Sequence, residues 1–169
     1  MVTSVESKPL GSPSLPEEVY DAESFRPRNS IGSLIGHARD AITLAVERGF
    51  AANPELAPYE LSFPQLKIVA SLATAQEAKS ASDLCKSISY DAGAMTRMID
   101  RLESKGLLHR ERCTSDRRLV YLELTQDGVR LWPKMKEATR RSLNAMLSGF
   151  TRQEAQQLES YLRRMLENS

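Results

Sequence analysis

Between residues 91 and 128 the spacing of the apolar side chains changes twice, and few folds accommodate that. Met95, Met98, Ile99 and Leu102 recur at the interval of one helix face. Gly106 follows where a helix would end. The stretches "LLHRER" and "RLVYLELT" then alternate with a period of two, as half-buried strands do. The polar run from Cys113 to Arg117 lies between them as a hairpin tip, and at Thr125 the helical period returns. The pattern predicts a tight hairpin carried between two helices.

The residues upstream complete the unit. Ser80 and Asp83 resemble a helix start, although aspartate is a weaker capping partner than Glu or Gln. "ASDLCKSIS" is short, with Leu84 and Ile88 four apart, and a tight connection leads to a helix from about Asp91 to Lys105. A short helix, a tight turn, a second helix and an immediate hairpin describe a winged helix-turn-helix. Ser62 with Gln65 fits a capping box, and Leu61 with Leu66 the flanking hydrophobic staple. Residues 61–125 therefore form a unit able to bury its own core.

The flanking segments are amphipathic helices. Ile31, Leu34, Ile35, Ala38, Ile42, Val46 and Phe50 make one stripe, which Pro54 and Pro58 end. A helix from Thr125 must kink or pause at Pro133 and reaches about Ser148. A last helix, capped by Thr151 with Glu154, shows Leu158, Tyr161, Leu162, Met165 and Leu166 on one side. These faces need a partner, and a second copy of the chain is the simplest supplier. Residues 30–60 and 126–169 are accordingly expected to be a helical dimerisation region. Residues 1–29, with Pro9, Pro13, Pro16, Pro27 and an acidic patch at Glu17, Glu18, Asp21 and Glu23, are expected to be a disordered arm. The fold class is mainly α with a small β hairpin: a winged helix-turn-helix domain flanked by dimerisation helices.

Net charge is +1, but it is unevenly spread. Residues 1–60 hold five basic and nine acidic side chains; residues 86–118 hold eight and five. A local basic excess around the hairpin hints at a polyanion. Other chemistries find little material. His37 and His109 are the only histidines and show no metal-ligand spacing, so neither metal nor cofactor is expected, and no catalytic group assembles. No glycine-rich phosphate loop exists. No apolar run reaches the ~18 residues that a membrane span needs. Cys85 and Cys113 make no disulfide framework, and a cytoplasmic location follows as the default.

The helix at 91–105 turns Gly93, Thr96, Arg97, Asp100, Arg101 and Ser104 away from its apolar face. Small residues at Ala92, Gly93 and Ala94 would let its N-terminus approach a flat surface, where free N–H groups attract anions. The segment "DAGAMTRMIDRLESKGLLHRERCTSDRRLVYLELTQDG" closely resembles the signature of the MarR family, the multiple-antibiotic-resistance regulators. The matching parts are Gly93 to Glu103, Lys105-Gly106, Arg110, Asp116-Arg117-Arg118, and Leu124-Thr125 with Gly128.

The resemblance implies a transcriptional regulator, a homodimer on a palindromic double-stranded DNA operator, commonly a repressor released by an aromatic or phenolic ligand. Ser89, Gly93, Ala94, Thr96, Arg97, Arg101, Arg117 and Arg118 are the expected DNA contacts. In this family the wing arginine, here Arg118, enters the minor groove, where negative potential is concentrated. Asp116 is expected to orient it and Arg117 to meet the backbone. The family's ligand cleft implies His37, Arg39 and Tyr59 as contacts for an aromatic carboxylate. Two alternatives stay open: redox sensing through Cys113, and a constitutive architectural DNA binder without an effector.

Overall fold

The computed structural model describes residues 19–88, 90–112 and 119–168. The elements run α1 (Ile31–Ala51), α2 (Phe63–Ala73), β1 (Lys79–Ser80), α3 (Ala81–Ile88), α4 (Ala92–Ser104), β2 (Leu108–Arg112), β3 (Val120–Leu124), α5 (Gln126–Met146) and α6 (Arg152–Glu167). The chain divides into two compact units after His37, within α1.

In the first unit, residues 19–30 hold local structure. Asp21 Oδ1 accepts the Ser24 and Glu23 N–H groups at 2.6 and 2.9 Å. Pro27–Asn29 forms a 3-10 turn. The Tyr20 ring meets Phe25 edge-on, with centroids 5.4 Å apart. The Tyr20 hydroxyl accepts the Ile31 N–H at 3.0 Å, satisfying one of the donors that a helix start leaves open.

In the second unit, every helix but α6, together with the hairpin, sends apolar side chains to one core. Val46 and Phe50 come from α1, and Leu66, Ile68 and Val69 from α2. Leu84 of α3, Met95, Ile99 and Leu102 of α4, Leu107, Leu108 and Leu122 around the hairpin, and Leu131 and Met135 of α5 join them, with Leu56 and Leu61 from the connection between α1 and α2. Each fully buried side chain of this size contributes roughly 1.5–3 kcal/mol. No residue of α6 is buried.

Local signals decide where the elements begin. The predicted Ser62–Gln65 and Thr151–Glu154 capping boxes both form. Asp83 is a full partner for Ser80: its carboxylate accepts from the Ser80 N–H at 2.9 Å and from its hydroxyl at 2.7 Å, while Ser80 Oγ accepts the Asp83 N–H at 3.3 Å. These bonds, the hydroxyl's first, hold the Asp83 carboxyl below its ordinary pKa.

The structure refines two sequence expectations. The hairpin belongs to a three-stranded antiparallel sheet in the order β1-β3-β2. Lys79 pairs with Leu122 and Ser80 with Tyr121; two residues are too short to show alternation. Helix α5 also continues through Pro133 without a pause. Proline removes the N–H that would reach the Val129 carbonyl, yet the helix runs on to Met146.

Close backbone approach sets two further positions. A β-carbon on Gly49 of α1 would lie 2.6 Å from Ser142 Oγ of α5, and that hydroxyl donates to the Ala45 carbonyl at 3.1 Å. At the base of the wing, Gly106 ends α4 with φ +68°. Leu107 N–H returns to the Leu102 carbonyl at 3.0 Å, and Thr125 N–H bonds the Leu107 carbonyl at 3.1 Å. Thr125 Oγ1 donates to the Gly106 carbonyl at 2.6 Å and accepts the Gly128 N–H at 3.1 Å.

Candidate nucleic-acid interface

Helix α4 is held from three sides, and its remaining face is open. Met95, Ile99 and Leu102 anchor it in the core. At its C-terminus Lys105 Nζ donates to the Glu60 carbonyl at 2.8 Å and to Gln65 Oε1 at 3.4 Å. This ties α4 to the capped start of α2, and burial lowers the pKa of that ammonium. From the hairpin, Arg110 of β2 donates to Asp100 at 2.6 Å and also to Glu103, both on α4. The Asp100 hydrogen bond, first among the causes, raises the Arg110 pKa. The hairpin is thus braced against the helix, with Arg110 neutralised by two carboxylates.

The open face carries Gly93, Thr96, Arg97, Arg101 and Ser104, all exposed. Neither Arg97 nor Arg101 has a carboxylate partner among the described residues, in contrast to Arg110. A β-carbon on Gly93 would lie 3.4 Å from the Arg97 guanidinium, so Arg97 folds toward the start of the helix. The Thr96 hydroxyl donates to the Ala92 carbonyl at 2.8 Å, which leaves its oxygen as an acceptor. Ala94 is partly buried rather than open. Its N–H is not free for an anion, because Asp91 Oδ1 accepts it at 2.8 Å as the N-cap.

Ser89, Cys113, Asp116, Arg117 and Arg118 lie outside the described residues. On the hairpin below the tip, His109 of β2 faces Glu123 of β3 at 3.8 Å.

The expected ligand contacts are scattered in character. His37 is exposed in the first unit. In the second, Arg39 is exposed and pairs with its neighbour Asp40 at 3.0 Å, while Tyr59 packs partly buried against the core. A groove of about 630 Å³ lies between the C-terminal end of α1 and α5, walled by Asn53, Glu55, Lys134, Glu137 and Arg141. Neither Arg39 nor Tyr59 lines it. Among the described residues no cluster of three or more His, Cys, Asp or Glu could hold a metal ion, and no helix is long and apolar enough to cross a membrane.

Sequence reasoning missed the roles of Lys105, Asp100 and Glu103. The Lys-Gly helix end and the acidic pair three apart were visible, but their partners are distant in the chain.

A helix-turn-helix of α3 and α4, joined to a hairpin by a glycine helix end, defines a winged helix-turn-helix protein. Residues 61–120 match the MarR family. An HTH-type transcriptional regulator of Bacillus subtilis, YdgJ, is 35% identical over 89 residues, 53% of this chain and 54% of that protein; the chain thus spans about half the length of this curated relative. Among solved structures, a mutant MarR from E. coli complexed with operator DNA matches with TM-score 0.70 and 26% identity, over 80% of this chain and 93% of that one. CouR from Rhodococcus jostii RHA1, bound to p-coumaroyl-CoA, shares the fold with TM-score 0.67 and 20% identity, over 81% and 92% of the two chains. Over residues 61–120 the chain carries the MarR-family pattern.

Proposed function

We propose that the protein is a homodimeric, sequence-specific DNA-binding transcriptional regulator, a repressor released by a small aromatic or phenolic ligand. The observation that carries the DNA reading is the open face of α4, where Arg97 and Arg101 stand exposed beside Gly93 while the neighbouring Arg110 is neutralised. A helix of this width fits the major groove, where arginine reads guanine edges in bidentate fashion. The E. coli relative complexed with operator DNA supports the same use of the fold. Arg97 reads bases in this proposal, Arg101 and Arg117 meet phosphates, and Arg118, oriented by Asp116, enters the minor groove.

The dimer reading is supported by α6, whose Leu158, Tyr161, Leu162 and Met165 are 38–53% exposed. A twofold dimer implies an imperfect palindrome with half-sites about one helical turn apart. The ligand reading is supported by a fold neighbour bound to p-coumaroyl-CoA, with His37, Arg39 and Tyr59 as candidate contacts. The protein would act in the cytoplasm.

Selection of bound duplexes from a random pool tests the reading. Enrichment of a palindromic site is expected, and Arg97→Ala should cost about 1–3 kcal/mol on that site while flattening its preference. A pool that stays random removes the DNA reading. Thermal-shift titration with aromatic acids tests the ligand part, because a bound ligand raises the melting temperature; no shift across the panel would leave a constitutive DNA binder.

A further inference from the structure

Lys67 is an exposed cation of α2 with no carboxylate partner among the described residues. Its ammonium lies 5.2 Å from the Phe63 ring centroid and 5.8 Å from that of Tyr90. Both rings are packed, partly buried, against the core. The platform under the ammonium is therefore set by the fold, and a cation over two ring faces is held by their quadrupoles.

The placement of those rings matters. Phe63 is one helical turn before Lys67 on α2. Tyr90 belongs to the connection between α3 and α4, and the next residue, Asp91, caps α4. Lys67 thus stands at the entry to the helix whose start also receives the Arg97 guanidinium. Beside it opens a shallow groove of about 410 Å³ lined by Lys67, Ala70, Ser71, Thr74, Ser87 and Ile88. The Thr74 and Ser87 hydroxyls donate to carbonyls of their own helices, at 2.8 and 3.2 Å. The Ser71 hydroxyl has no such bond among the described residues. An oriented ammonium, an available hydroxyl and no anion form a receptor for a single phosphate oxygen.

We infer that Lys67, with Ser71 beside it, binds one backbone phosphate of the DNA that α4 engages. The inference rests on the DNA-binding reading and adds a contact from α2, outside the helix-turn-helix and the wing. A phosphate contact of this kind positions the duplex and carries no base preference.

The test uses the full chain, Lys67→Met, which keeps an apolar stem over the rings, and Lys67→Arg. The probes are a duplex selected by the native chain and a random duplex of equal length. For Lys67→Met the slope of log affinity against log salt should fall by about 0.9 for each chain bound, which is about threefold between 50 and 200 mM salt. The loss should be equal on both duplexes, and Lys67→Arg should restore it. A neutral methylphosphonate at one position of the selected duplex should weaken the native chain and leave Lys67→Met unaffected. An unchanged salt slope, even with a lowered melting temperature, would reduce Lys67 to a brace between two rings. A loss confined to the selected duplex would make it a base contact; either result overturns the inference. If the native chain selects a duplex that depends on Arg97 while the Lys67→Met slope is unchanged, only this inference falls. If the native chain selects nothing, the DNA-binding reading falls and takes the inference with it.

Discussion

A β-carbon on Gly128 would lie well inside 3.0 Å of the Leu107 carbonyl oxygen. Gly128 opens α5, and Leu107 links the end of α4 to β2, so the start of α5 meets that link backbone to backbone. Thr125 completes the junction by bonding both Gly106 and Gly128. The Leu-Thr-any-any-Gly run has a physical reason here: threonine ties the two backbones, and only glycine lets them approach.

Gly128→Ala should therefore be destabilising at the upper end of the roughly 1–3 kcal/mol seen for overpacked sites. The obstacle is backbone, which has no rotamer to yield. Urea unfolding should show a lower midpoint with an unchanged slope. A variant as stable as the native chain would mean that the junction opens easily.

The exposed apolar face of α6 gives a test of assembly. Size measurement at micromolar concentration should return about twice the chain mass. Leu162→Glu, at a position 38% exposed in the single chain, should shift the population toward monomer without lowering the core's own stability. Ile35→Glu on α1 should do the same. In both variants, affinity for the selected duplex should fall together with the dimer fraction; a monomer that still binds tightly would break that link.

How much of this was legible in the sequence depends on the distance over which each signal acts. The caps at Ser62 and Thr151 and the helix end at Gly106 were readable because each involves residues three or four apart. Strand β1 was not, because two residues carry no period and its partner Leu122 lies far along the chain. The continuity of α5 through Pro133 was not legible either, because a proline marks a lost helical hydrogen bond and not whether neighbouring packing carries the helix on. At the interface the open face of α4 was legible from its spacing. The brace was not, because Arg110 reaches Asp100 and Glu103 from a different element. At the Lys67 site Phe63 and Ser71 stand one turn either side of the lysine on α2, but Tyr90 comes from a different part of the chain and no local spacing announces it.

Glu137 on α5 gives a pH prediction with a defined sign. Arg140, the larger cause, and Arg141 bond its carboxylate at 2.7–2.8 Å and hold its pKa down from 4.5 to about 2. A carboxylate depressed in the folded state adds stability above its unfolded pKa and loses it as pH falls through the folded one. The contribution should be complete above pH 4.5 and vanish toward pH 2. Stability curves of native and Glu137→Gln chains should differ by a constant at neutral pH and converge across that window. The side chain is exposed, so the difference should be small and shrink with salt. Curves that stay parallel down to pH 2 would mean that the pairs do not persist in solution.

The brace from Arg110 to Asp100 gives the sharpest prediction about DNA. Both side chains are more than a third exposed or close to it, so their pair should add no more than about 1 kcal/mol to stability. Its consequence lies in where it holds the hairpin relative to α4. Removing an anion near DNA should by itself strengthen binding. If the brace sets the wing for its groove, Asp100→Asn should instead weaken binding to the selected duplex. Arg110→Gln should weaken it as well, and the double variant should be no worse than Arg110→Gln alone, because the two residues act as a unit. Glu103 remains as a second partner for Arg110, so the Asp100→Asn loss should be the smaller of the two. The measurement is a double-mutant cycle of duplex affinity at fixed salt, with melting temperatures recorded in parallel. Tighter binding by Asp100→Asn, or losses that simply add, would show that the hairpin finds its position without the brace.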